Sequence, residues 1–277
     1  MGNTGSVVRF PYQNGDTKAR GPAQTIVPDI PTGGRLRGGG HWTRDIAFSL
    51  DGKKMFVSVG SLTNVDDPDQ NKAEFHRADI LEFNADGSGL EVYAWGIRNP
   101  VGIAMNPKTG ELWASVNERD QLGDNLVPDY ITHVQQGGFY GWPWYYTGGN
   151  QDPRHAGKHP ELKGKVIVAD VLLQPHNASL EMTFNEESQF PSEYKGDIFA
   201  AEHGSWNKSN RTGYEVIRVP LKDGHANGEY EDFLTGFVTA DGQVWGRPVG
   251  VAFATDGSLL VTDDGSNSIW RVSYGGK

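Results

Sequence analysis

Hydrophobic and polar residues alternate along most of this chain with a period of two, in short runs rich in Val, Ile, Phe, Trp and Tyr. Successive side chains of a strand point to opposite faces, so this alternation predicts half-buried β-strands; the 3.6-residue period of an amphipathic helix is scarce. Strands are predicted at 6–10, 45–49, 54–59, 79–83, 91–95, 111–116, 196–202, 214–219, 258–262 and 268–272. Asp-Gly pairs stand among them at 51–52, 86–87, 223–224, 241–242 and 256–257. This dipeptide favours tight hairpins because both residues tolerate positive φ.

Segments 44–60, 100–117 and 248–263 repeat one unit: a strand, a turn, and a second strand ending near polar residues. A degraded fourth copy joins 179–184 to 196–201 across a longer turn. Repeats of about 40–50 residues with four strands apiece mark a β-propeller. Insertions at 61–78 and 120–175 widen the spacing, and no linker-like stretch splits the chain, so 1–277 reads as one all-β domain. Residues 41–277 carry about four blades, the last (248–274) with three clear strands. Strands near 6–10 and 24–28, within 1–30, are left over. Either one of them completes the last blade and closes the ring, or they form the outer half of a blade whose inner half is absent.

Composition narrows the partners. Glycine supplies 37 of 277 residues, well above the usual ~7%, and the absence of a Gly-X-Y period excludes collagen. The formal charge is −10, from 25 Lys+Arg against 35 Asp+Glu. Such a surface repels phosphate on average, so no nucleic-acid partner is expected. The longest apolar run, 166–173, is broken by Asp170 and falls far short of the ~18 residues a membrane helix needs, so no membrane span is expected. With no cysteine, disulfides, thiolate catalysis and Cys-ligated metals drop out. Residues 1–6 are polar, and no signal peptide is read there.

Propeller chemistry gathers on the loops beside the inner strands. In Gly38-Gly-Gly-His41-Trp42 the glycines turn tightly and leave His41 exposed at the channel mouth. It is either a general base or a histidine that only hydrogen-bonds a loop. Arg98 and Asn99 precede Pro100, which holds Asn99 extended. The pair suits a carboxylate or a developing oxyanion, or else Arg98 is structural. Arg247-Pro248-Val-Gly repeats that pattern in another blade. The two arginines either converge on an anionic ligand or merely reflect blade repetition. Segment 117–129, with Glu118, Asp120, Asp124 and Asp129, is either an oxygen-rich calcium loop or a solvent-facing acidic loop. The acidic run 66–69 fails the EF-hand pattern and is read as solvated, as are His76, His155, His159 and His225. His133 reads as a packed strand residue, and His176 and His203 flank the fourth repeat and face the channel. No zinc, Walker or nucleophile-elbow motif is present.

Five segments in order carry a resemblance: Gly-His-Trp-Thr-Arg at 40–44, Gly-Ile-Arg-Asn-Pro at 96–100, Gly-Gly-Phe-Tyr-Gly-Trp-Pro at 137–143, Glu-His-Gly-Ser-Trp-Asn at 202–207 and Gly-Arg-Pro-Val-Gly-Val-Ala-Phe at 246–253. The chain resembles the glucose/sorbosone dehydrogenase family of soluble quinoproteins, most of all its L-sorbosone and fungal pyranose dehydrogenase branch. The resemblance implies a six-bladed propeller with pyrroloquinoline quinone (PQQ) over the channel. It implies a sugar or sugar-aldehyde substrate, a separate electron acceptor and a periplasmic or secreted location. His41 then matches the general base, and Arg98 and Asn99 the quinone-binding pair, with Arg98 stabilising the oxyanion. Arg247, Lys208 and His176 match further cofactor positions. Main-chain oxygens of Glu118, Arg119 and Asp120 match the calcium segment. Family members carry about two more blades' worth of sequence before the position of His41, including one wall of the cofactor pocket; the resemblance therefore implies a chain lacking those blades or a shortened ring. A calcium-dependent lactone hydrolase and a non-catalytic binding propeller are the competing readings.

Overall fold

The computed structural model describes residues 1–33 and 40–275. Among them, strands form five radial sheets of three or more strands. The first blade holds Ile46–Phe48, Lys54–Val59, Asp79–Asn84 and Glu91–Trp95, extended by Gly138–Phe139 parallel to the last of these. Pro100–Met105, Leu112–Val116, Pro128–His133 and Val171–Pro175 make the second; Ser179–Phe184, Ile198–Glu202, Glu215–Val219 and Glu231–Leu234 the third. Pro248–Phe253, Leu259–Asp263 and Ser268–Val272 make the fourth. The fold is the β-propeller expected, and its fourth blade has the three strands expected.

Burial follows the alternation. The second strand of each blade has neighbours on both sides and is the most buried: Lys54–Val59, Leu112–Val116 and Ile198–Glu202 are closed almost throughout. Apolar clusters lie between sheets and link them in order. Val7, Val27 and Ile30 pack on Met55, Val57 and Leu81; Ile80 and Ala94 on Ile103 and Ala114; Trp113 and Ile131 on Met182 and Ile198; Phe199 and Val216 on Val251 and Leu259. No core cluster of described residues joins the fourth blade to the N-terminal sheet. Ile269 in the outermost strand is 69% exposed.

The N-terminal strands settle one alternative. Gly2–Asn3, Ser6–Arg9 and Gln24–Val27 pair with one another as a separate sheet against the first blade, and not with Ser268–Val272. They do not complete the last blade. Val7 and Val27 find their apolar partners on the first blade, which fixes them at that end of the arc.

The first strands of successive blades touch, Ile46–Phe48 on Pro100–Met105, that on Ser179–Phe184, and that on Pro248–Phe253. They are therefore the innermost strands. Gly102 permits one of these approaches, because a Cβ there would lie 2.5 Å from the Leu180 carbonyl oxygen and 2.9 Å from Glu181 Cα. Each inner strand begins beside a residue singled out by sequence: His41, Arg98 with Asn99, His176, and Arg247. Among the described residues no helix is long and apolar enough to cross a membrane.

Candidate active site

His41 is half-buried and not exposed as expected; Gly38 and Gly39 before it lie outside the described residues. Its backbone N–H donates to the Ser61 carbonyl at 3.0 Å, and the Ser61 N–H donates to the Arg98 carbonyl at 2.8 Å. These two bonds line up the starts of the first two inner strands. His41 Nδ1 sits 2.8 Å from the Ser61 carbonyl oxygen, which can only accept, so Nδ1 carries the proton and Nε2 is left with its lone pair. Burial, then the charge of Arg98, hold this imidazole well below its ordinary titration range, so it is neutral at pH 7. Arg44 and Arg77 clamp it from behind, donating to its carbonyl oxygen at 3.1 and 2.6 Å.

Gly60 brings His41 and Asn99 together. A Cβ there would overlap Asn99 Oδ1 and come within 2.6 Å of His41 Cβ. Asn99 is 7% exposed, and no described side chain or backbone group hydrogen-bonds its amide.

Arg98 is 4% exposed and does not project freely into the channel as expected. Its guanidinium donates from Nε to the Asn64 carbonyl (3.1 Å), from Nη1 to the Asn117 and Glu118 carbonyls (3.2 and 2.6 Å) and from Nη2 to Asn64 Oδ1 (3.0 Å). Asp120 lies 3.8 Å from Nη2. One Nη2 proton remains without a hydrogen-bond acceptor in this set.

The two ends of the 117–129 segment are turned inward, with Glu118, Arg119, Val127 and Asp129 buried, whereas 121–126 between them is exposed or half-buried. Asp129 is 3% exposed and accepts the Glu118 N–H at 2.7 Å and the Ala178 N–H at 2.8 Å, tying the second blade to the third. Burial raises its carboxyl to about 6 and that of Glu118 to about 7. Arg119 is 2% exposed, with its guanidinium beside Asp152 at 2.9 Å. The Glu118 carbonyl is taken by Arg98, and that of Asp120 by Asn64 Nδ2 at 3.1 Å.

Asp120, Asp124, His176, Asn207, Asn64 and the indole of Trp206 line one cavity of about 270 Å³. His176 donates from Nε2 to the Gly123 carbonyl at 2.9 Å and turns Nδ1 towards Asp120 at 3.4 Å. Asn207 donates to Asp120 at 2.8 Å. Lys208, next in the chain to Asn207, reaches the Pro175 carbonyl at 3.4 Å. Trp206 is 81% exposed. Asn64, Trp206 and Asn207 were not singled out from sequence, although the last two stand inside a quoted motif.

Arg247 lies further along the arc. It pairs with Asp264 at 3.1 Å, and His203 reaches the same carboxylate at 3.0 Å. Arg98 and Arg247 share no partner within the protein. They are linked by a chain of contacts: Arg98 to Asp120, Asp120 to His176, the Ala178 carbonyl to the His203 N–H, and His203 through Asp264 to Arg247.

Two other expectations need correction. His155 is 6% exposed, its Nε2 donating to the Val65 carbonyl at 2.7 Å. Asp67 is likewise 6% exposed and pairs with Lys158. Both were expected in solvent; their partners come from loops some ninety residues away.

Residues 2–205 match the model of the family described as Glucose / Sorbosone dehydrogenase. The chain belongs to the glucose/sorbosone dehydrogenase family. Residues 155–275 also match a model described as TrAA12-like. Among relatives of this family member, an uncharacterized protein of Borreliella burgdorferi is 34% identical over 236 residues, covering 84% of this chain and 61% of that protein. An aldose sugar dehydrogenase of Escherichia coli is 30% identical over 180 residues, 60% of this chain and 44% of that enzyme. The chain thus spans less than two thirds of either relative. The holo form of the pyranose dehydrogenase PQQ domain from Coprinopsis cinerea shares the fold, with a TM-score of 0.76 at 22% identity over 98% of this chain and 78% of that one.

Proposed function

We propose that this chain supplies the catalytic face of a PQQ- and calcium-dependent dehydrogenase that oxidises a sugar or sugar aldehyde. The observation that carries the reading is the state of His41: neutral, with its proton fixed on Nδ1 by Ser61 and a free lone pair on Nε2. Family membership supports it, as does the fold shared with a PQQ domain.

The residues present fit the cofactor. PQQ is a planar quinone with three carboxylates. Lys208 and the uncommitted Nη donors of Arg247, whose side chain is 44% exposed, suit carboxylates. The exposed face of Trp206 suits a planar ring, and the unpartnered amide of Asn99 suits a quinone oxygen. His176 is held by Gly123 and Asp120 on the same wall. The carbonyls of Glu118, Arg119 and Asp120 are oxygens of the kind calcium prefers, the first of them shared with Arg98 and the last with Asn64 Nδ2.

When bound, PQQ supplies a quinone that accepts a hydride from the substrate carbon. His41 Nε2 takes the proton from the substrate hydroxyl, and the imidazolium so formed keeps its Nδ1–H on Ser61. Arg98 holds a buried positive charge beside it, favouring a developing negative charge. Arg44 and Arg77 keep the ring in place. A separate electron acceptor completes turnover, and a periplasmic or secreted location belongs to the same reading. A lactone hydrolase would need several side-chain carboxylates free for the metal, whereas Asp129 has both oxygens on backbone N–H groups.

Addition of PQQ with calcium should give a bound-quinone absorbance change, and an aldose should then bleach it. Lactone hydrolysis without quinone binding would overturn the proposal.

A further inference from the structure

A second cavity, of about 470 Å³, opens between the 68–79 loop and the outer part of the first blade, away from Lys208 and Arg247. Its size lies within the ordinary range for small-ligand sites. Phe75 stands on its rim 66% exposed, its ring 3.9 Å from that of His76. Trp95, half-buried and stacked on Phe139 at 4.1 Å, lines the inside. An exposed phenyl ring beside a supported indole is a surface on which the C–H face of a sugar ring can lie.

Asp79 gives the cavity its polar contact. It is 7% exposed and lines the cavity, yet no described group hydrogen-bonds its carboxylate. The nearest basic side chain is His76, with Nδ1 at 3.7 Å, beyond hydrogen-bond length. Burial lifts its carboxyl to about 6, and its oxygens open on the cavity with no protein donor of their own. Hydroxyl groups of a ligand would supply the missing donors. Lys72 and Arg77 line the same space as Asp69, Glu74 and Asp79, so both signs are present with one negative charge in excess, and it is the two aromatic rings that favour a neutral polyol over a cation. His76 and Ala78 both hold positive φ, 51° and 55°, which fixes the turn that sets Phe75 and Asp79 on one side.

We propose that this cavity is a saccharide-binding subsite, separate from the quinone cavity, in which Phe75 and Trp95 stack a neutral sugar ring and Asp79 accepts hydrogen bonds from its hydroxyls. Trp142 forms part of the wall, and its indole N–H donates to the Asn64 carbonyl at 2.9 Å. That carbonyl also holds Arg98 Nε, so the two sites stand back to back.

The test is a titration of cellotriose, followed by tryptophan fluorescence and saturation-transfer NMR, on the whole chain without PQQ or calcium. Its result is therefore independent of the dehydrogenase proposal. Saturable binding is expected. Phe75→Ala, on an exposed side chain, should weaken it by roughly threefold to tenfold, and Asp79→Asn by about tenfold. His41→Ala should leave it unchanged. Absence of saturable binding, or equal binding by parent and Phe75→Ala, would overturn the proposal. So would displacement of cellotriose by putrescine, which would mark a cation site instead.

Discussion

Arg77 Nη2 lies 2.6 Å from the carbonyl oxygen of His41 and 3.1 Å from that of Ser61, the same residue that holds the His41 ring. One guanidinium therefore fixes both the imidazole's backbone and its hydrogen-bond partner. Arg77→Met removes three donors at once, including the bond to Pro31. Each carbonyl keeps a second donor, Arg44 on Pro31 and His41 and the His41 N–H on Ser61, so the loss is that of hydrogen bonds from a charged group, ~1.5–3 kcal/mol each at most. The variant should melt earlier and turn over more slowly, with KM for sugar little changed. Arg77 is a lesser contributor to the depressed titration of His41, after burial and Arg98. Losing a nearby cation raises an imidazole's pKa, so the acid limb of the kcat profile should move to higher pH. A pH profile that stays in place while kcat falls would show that Arg77 acts through packing alone.

His41→Ala separates binding from chemistry. A general base contributes roughly 10²–10⁴ in rate. The quinone contacts proposed for Lys208, Asn99 and Arg247 do not pass through His41, so the bound-quinone absorbance should persist while its bleaching by aldose slows by about that factor. Undiminished bleaching would remove His41 from the mechanism.

Gly60→Ala tests how closely His41 and Asn99 must approach. The added Cβ would overlap Asn99 Oδ1 and crowd His41 Cβ, and the flanking chain is pinned by the Ser61 bonds to His41 and Arg98. Overpacking of this kind costs ~1–3 kcal/mol. Thermal unfolding should shift down and quinone affinity should fall with it. A variant with parental melting temperature and affinity would show that the loop yields freely.

The strands were legible because their signal is local. Alternation places Lys54–Val59, Glu91–Trp95 and Ser268–Val272 at the residue level, and the Asp-Gly turns hold, with Gly52 at φ 69° and Gly257 at φ 82°. Strands inside the 120–175 insertion, Pro128–His133 and Val171–Pro175, carry no repeat signature and become strands by pairing with each other and with Leu112–Val116. The site was legible as positions, not as contacts. An arginine fork fits a carboxylate and a pair of carbonyls equally well. Only the fold reveals that Asn64, 34 residues upstream, supplies two of the acceptors of Arg98. The same holds for Asp67 and His155, whose burial depends on partners from distant loops.

Glu181 gives the last prediction, in pH dependence. It sits in the inner strand Ser179–Phe184 with its Cα beside Gly102, within electrostatic reach of Asp45, whose oxygens accept the Ile46 and Ile103 N–H groups. Burial and then the Asp45 charge raise the Glu181 carboxyl to about 8. An unfolded glutamate titrates near ~4.3. Between these two values the folded state binds the proton and the unfolded state does not, so stability falls as pH rises through that window and levels above the folded value. Glu181→Gln has no proton to lose. It should match the parent near pH 4 and exceed its melting temperature at pH 8 and above, with a flatter pH profile between. Chemical denaturation at both ends of the window reads this directly, and a variant whose stability runs parallel to the parent across it would show that Glu181 is already ionised in the folded protein.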